Sequence, residues 1–155
     1  MQKLSIKRTA MPAIMCSAAL FASFNAEAEI YASGQTLQSI RESGLRVFVD
    51  DGVSDGCWRN PQSAENKAIS LLNQYGLYNQ NSDKVLNVHG GGHGENDYCI
   101  VSFEIRIYLN IPLVGLLVFG EIGGWRAGRE VSDDIRSKVE DFIEQLAAKL
   151  ANEGL

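Results

Sequence analysis

From Cys99 to Leu109 the chain alternates. Cys99, Val101, Phe103, Ile105, Ile107 and Leu109 are apolar, Ser102, Glu104, Arg106 and Tyr108 between them are polar, and Ile100 is the single break. Successive side chains of a strand point to opposite faces, so this stretch predicts a long strand with one face in a core and one in water. A half-wet strand favours an antiparallel sheet, because parallel sheets are covered on both faces.

The neighbouring segments are read around that strand. Residues 35–43 predict a short helix closed by Gly44, and residues 45–50 a strand with Leu45, Val47 and Val49 on one face. Asn60-Pro61 is a helix start, with asparagine as cap and proline in the first turn. Ala64, Ala68, Leu71, Leu72 and Tyr75 follow at helical spacing, and Gly76 ends the run. Residues 84–89 and 113–122 predict two further strands, the second rich in glycine near its end. Val131, Ile135, Val139, Phe142, Ile143, Leu146 and Leu150 make the apolar stripe of a last helix from about Ser132 to Asn152, capped by Ser132 or Asp133. The expected fold is α+β in the order (α)-β-α-β-β-β-α: an antiparallel meander of about four strands, the first at an edge, two main helices on one face and the other face open.

The N-terminus predicts export. Lys3, Lys7 and Arg8 precede an uncharged, largely apolar stretch, and Ala26-Glu27-Ala28 places small residues where a signal peptidase reads. Residues 1–28 are expected to be a secretory leader removed after Ala28, leaving residues 29–155 as one small domain in the periplasm or outside the cell, with no stable membrane anchor. The formal net charge of the whole chain is −5, and loss of the basic leader makes it more negative. Phosphate backbones repel such a chain, so nucleic acid is not an expected partner. No Asn-x-Ser/Thr sequon occurs, which fits a bacterial protein. Cys57 and Cys99 both survive cleavage. In an oxidising compartment they are expected to pair, closing a loop of about 43 residues for about 4 kcal/mol.

Chemistry is most visible in the run His89-Gly-Gly-Gly-His93. Its His-Gly-Gly-Gly portion is similar to the oxyanion loop of lipase-like esterases, but that chemistry needs a Gly-x-Ser-x-Gly elbow, which is absent. As a metal site, His89 and His93 would bind Zn or Cu, with Glu95 and Asp97 nearby and Cys57 and Cys99 as further ligands only if reduced. The simplest reading is a flexible hairpin loop carrying two exposed histidines. The acidic run from Asp50 to Gly56 is similar to a calcium loop, yet Val53 and Gln62 stand where that loop needs ligands. Trp58 is expected to pack over the disulfide, and Trp125 to serve either as an exposed anchor or in the core.

These observations lead to a non-enzymatic exported binding protein with an unidentified protein or small-molecule partner and no cofactor. Its candidate surfaces are the wet face of the sheet, with Glu104, Arg106, Tyr108 and Trp125, and an edge strand open to strand addition. A metal-binding protein using His89 and His93 is the alternative, and a small hydrolase the third reading.

Overall fold

The computed structural model describes residues 29–32, 34–95, 98–111 and 115–155. The expected leader, residues 1–28, lies outside the described residues, as does Asp97. The elements are β1 (Glu29–Ile30), α1 (Gly34–Ser43), β2 (Arg46–Val53), α2 (Pro61–Gln74), β3 (Lys84–Glu95), β4 (Tyr98–Ile111), β5 (Gly115–Gly128) and α3 (Ser132–Asn152). They build one five-stranded sheet in the order β1-β5-β4-β3-β2, with the three helices on one face.

The fold is α+β, and the antiparallel meander is matched only in β3-β4-β5. The sheet is mixed, because β2 runs parallel to β3 from Arg46↔Val85 to Val53↔Gly92. The reason is the intervening helix: α2 carries the chain back along the sheet, so the next strand starts from the same end. A fifth strand, β1, adds two residues to the far edge opposite Gly120 and Glu121. Lys149 of α3 donates to Ile30 O and ties this short strand to the helical layer.

The helices follow their sequence signals closely. Asn60 Oδ1 accepts from the Ser63 amide at 3.2 Å, and Pro61 opens α2. At its other end Gly76 adopts φ 67°, Leu77 N–H donates to Leu72 O and Gly76 N–H to Asn73 O, which closes the helix in a Schellman turn. The start of α3 differs from expectation. Val131 occupies the cap, the Glu130 carboxylate accepts from the Ser132 amide at 2.7 Å, and the Ser132 hydroxyl accepts from Asn60 N–H at 3.2 Å. Ser132 therefore joins the starts of α2 and α3 instead of capping its own helix.

The apolar stripes meet as the periodicity requires. Leu37 and Ile40 of α1, Ala64, Ala68, Leu71 and Leu72 of α2, and Ile135, Val139, Phe142, Ile143, Leu146 and Leu150 of α3 are buried. They cover Leu86, Val88, Val101, Phe103, Ile105 and Ile107 of the sheet. The small residues Ala64 and Ala68 let α2 approach closely, and Lys67–Glu140 at 2.9 Å bridges α2 to α3 on the outside. No helix among the described residues is long and apolar enough to cross a membrane.

Candidate functional site

The glycine-rich run is strand, not hairpin tip. Pairing of β3 with β4 is unbroken from Lys84↔Leu109 to Glu95↔Tyr98 and passes through all three glycines of the run. Gly90, Gly92 and Gly94 face the core side, where bulky neighbours take the place of side chains. A Cβ on Gly90 would lie 2.7 Å from the Trp58 ring, and one on Gly94 2.7 Å from Cys57 Sγ. Cys57 and Cys99 form a disulfide, and both are buried. Trp58, 3% exposed, thus packs its ring against β3 at Gly90, and its Nε1 has no hydrogen-bond partner among the described residues.

The strand geometry also sets where the two histidines stand. His89 and His93 both project from the open face, four residues apart on one strand, which is a separation of about 13 Å. On a helix the same spacing would bring them together. Among the described residues no group of three or more His, Cys, Asp or Glu is placed to hold a metal ion. The acids of the loop after β2 serve local structure. Asp51 Oδ1 accepts from Val53 N–H at 3.0 Å, and Asp55 Oδ2 accepts from the Ser54 hydroxyl at 2.7 Å and from Gly94 N–H at 3.4 Å.

Asp55 gives a pH prediction. Its carboxyl is held below its ordinary value of 3.8, first by the Ser54 hydroxyl, then by Gly94 N–H, with a smaller contribution from the His93 charge. A carboxylate whose folded pKa is lowered adds stability that is present above 3.8 and is lost as pH falls through the lowered value. Asp55→Asn should therefore show a shallower acid-side fall in melting temperature than the wild type. Identical acid limbs would show that the contact does not contribute.

The face opposite the helices is uncovered among the described residues, and the registers arrange it in rows. One row is Phe48–Asn87–Arg106–Glu121–Glu29, the next Asp50–His89–Glu104–Gly123, and the third Gly52–Gly91–Ser102–Trp125. A charge ladder crosses the first two. Asp50 Oδ2 meets His89 Nδ1 at 2.9 Å, Arg106 pairs with Glu104, and Arg106 Nε donates to Glu121 Oε2 at 3.1 Å. At the far side the Tyr31 hydroxyl donates to Glu29 Oε2 at 2.8 Å and to Glu121 Oε1 at 3.2 Å. The Tyr31 phenol is pushed up to about 12, chiefly by the hydrogen bond to Glu29, which favours the protonated donor. Four carboxylates thus share one guanidinium and one imidazole, and the face is net acidic.

Aromatic side chains flank this ladder. Phe48 is 54% exposed on one flank and Trp125 44% on the other. Glu104, Arg106 and Tyr108 share this face by strand alternation alone, and Trp125 reaches it through the pairing of Ser102 with Trp125. Phe48, Asp50, His89 and Glu121 join them only through pairing, and nothing in the local sequence marks them as neighbours. The Ser102 hydroxyl donates to Gly91 O at 2.9 Å and lies beside Trp125 in the third row. At the disulfide end a cleft of about 490 Å³ is lined by Asp55, Arg59, Glu95, Tyr98 and Arg129, among others.

No protein-family model matches the chain, and no curated protein matches it significantly. Among solved structures it is similar to the PelC dodecamer from Paraburkholderia phytofirmans, with 16% identity over 81% of this chain and 95% of that one and a TM-score of 0.45. It is also similar to a methionine variant of that PelC in another crystal form, with 18% identity over 68% of this chain and 90% of that one and a TM-score of 0.44. A likeness this distant fixes neither the details of the fold nor the function.

Proposed function

We propose that this is an exported, non-enzymatic binding protein that engages its partner on the open face of the sheet. The observation that carries the reading is the flat face itself, with exposed Phe48 and Trp125 on either side of an acidic ladder centred on Arg106. Exposed aromatics supply contact area at small entropic cost, and fixed charges supply orientation and selectivity. The excess of carboxylates selects a partner that presents positive charge. The leader-like N-terminus and the Cys57–Cys99 bridge support an oxidising compartment. A hydrolase gains no support from Ser102, whose hydroxyl donates to Gly91 O.

The test is capture of the partner from periplasmic extract with wild type and with the double variant Phe48→Ser, Glu104→Gln. A true binding face predicts roughly tenfold or greater loss of the captured species, with the melting curve of the variant little changed. Full retention of capture by a folded double variant would place binding elsewhere on the molecule.

A further inference from the structure

The two edges of the sheet are finished differently. At the β2 edge, Leu45 N–H donates to Leu77 O and Asn79 N–H to Leu45 O, so residues 77–79 cover the start of the strand. Near its end the Val53 amide is taken by Asp51 Oδ1. Arg46, Asp50 and Asp51 line what remains, and charges discourage strand addition.

At the other edge the described residues of β1, Glu29 and Ile30, pair with Glu121 and Gly120 of β5. Backbone groups alternate sides along a strand. Because Leu45 turns its groups outward, the even residues of β2 face β3. Carried through the registers, this points the odd residues of β5 outward: Glu121, Gly123, Trp125 and Ala127. Glu29 of β1 takes Glu121. No strand among the described residues takes Gly123, Trp125 or Ala127, and the one contact there is Arg126 Nη1 donating to Trp125 O at 2.9 Å.

We propose that this open edge pairs antiparallel with the same stretch of a second copy, on a two-fold axis through Trp125. The sequence is self-complementary in that register. Trp125 meets its own copy on the open face, Gly123 meets Ala127, and Gly124 meets Arg126, so no like charges oppose each other. Glu121 lies outside this pairing, because Glu29 of β1 already holds its outward side. The outward odd residues form the hydrogen-bonded pairs. The product is a ten-stranded sheet whose two open faces lie side by side, each as described above. This self-pairing does not require the open face to bind another partner.

Protein produced from the full chain and recovered from the periplasm serves for the test, with its N-terminus read by intact mass. Sedimentation should show a dimer at micromolar concentrations. Trp125→Cys should crosslink to itself on oxidation, since directly opposed hydrogen-bonded residues have Cα atoms about 5.5 Å apart, within disulfide reach. Gly123→Cys alone should not, because it faces Ala127 of the other copy. Ala127→Pro removes an outward N–H that the fold of one copy does not use, so it should give a monomer with an unchanged circular dichroism spectrum. A monomeric wild type overturns the proposal, whether it begins at Glu29 or retains upstream residues that extend β1 along the edge. A dimer that survives Ala127→Pro, or crosslinking at 123 instead of 125, overturns it as well.

Discussion

Gly92→Ala will destabilise the domain by about 3 kcal/mol, as expected for backbone strain joined to overpacking. Gly92 adopts φ 156°, and a Cβ there would lie 2.3 Å from Ile100 O and 2.9 Å from Val101 Cα. Both are backbone atoms of the paired strand β4. They cannot move aside without opening the ladder between β3 and β4. The neighbouring Gly91 is the control. Its Cβ would meet only side-chain atoms, His89 Nε2 at 3.5 Å and Ser102 Oγ at 3.6 Å, which are ordinary contacts. Gly91→Ala should therefore change stability by about 0.5 kcal/mol or less. Urea unfolding of the two variants separates the readings of this run. A flexible loop tolerates alanine equally at both positions, and equal midpoints would contradict the strand.

Loss of the Cys57–Cys99 bridge will cost about 4 kcal/mol, from the loop-closure entropy returned to the unfolded chain. The sequence separation is 42 residues, and both cysteines are buried, at 1% and 5% exposure. A domain of this size has a total stability of about 5–15 kcal/mol, so the reduced protein will be close to its unfolding limit. Cys57→Ala, Cys99→Ala should show a large fall in urea midpoint. In the wild type, reductant should act slowly under native conditions, because little of either cysteine is exposed. A double variant within about 1 kcal/mol of wild type would show that the bridge is not a main support of the fold.

The disulfide effect reaches into the packing beneath β3. The disulfide and Trp58 occupy the volume that Gly94 and Gly90 leave empty. The glycines that suggest mobility are therefore the condition for a rigid contact. On the other side of the same strand, Gly91 and Gly52 keep the third row flat and leave the His89 ring standing above it.

Much of the fold is legible locally. The alternation from Cys99 to Leu109 defines β4 and its wet face, and Glu104, Arg106, Tyr108 and Ser102 stand where a period of two places them. Asn60-Pro61 and Gly76 bound α2 because caps depend on the conformation of single residues. The expected compartment and the even count expected after leader removal pointed to the Cys57–Cys99 pair that the structure shows. The tertiary structure decided what depends on partners distant in sequence. Whether Gly90-Gly91-Gly92 is a turn or a strand depends on Trp58 and Cys57, more than thirty residues earlier, which fill the space beside it. Whether His89 and His93 converge depends on that same choice, since four residues span one turn of a helix but about 13 Å of a strand. The parallel pairing of β2 and the joining of Asp50 to His89 and of Arg106 to Glu121 are properties of register. For strands far apart in sequence, such as β2 and β3, register is set by which strands meet across the sheet, and no short-range pattern in the chain records it.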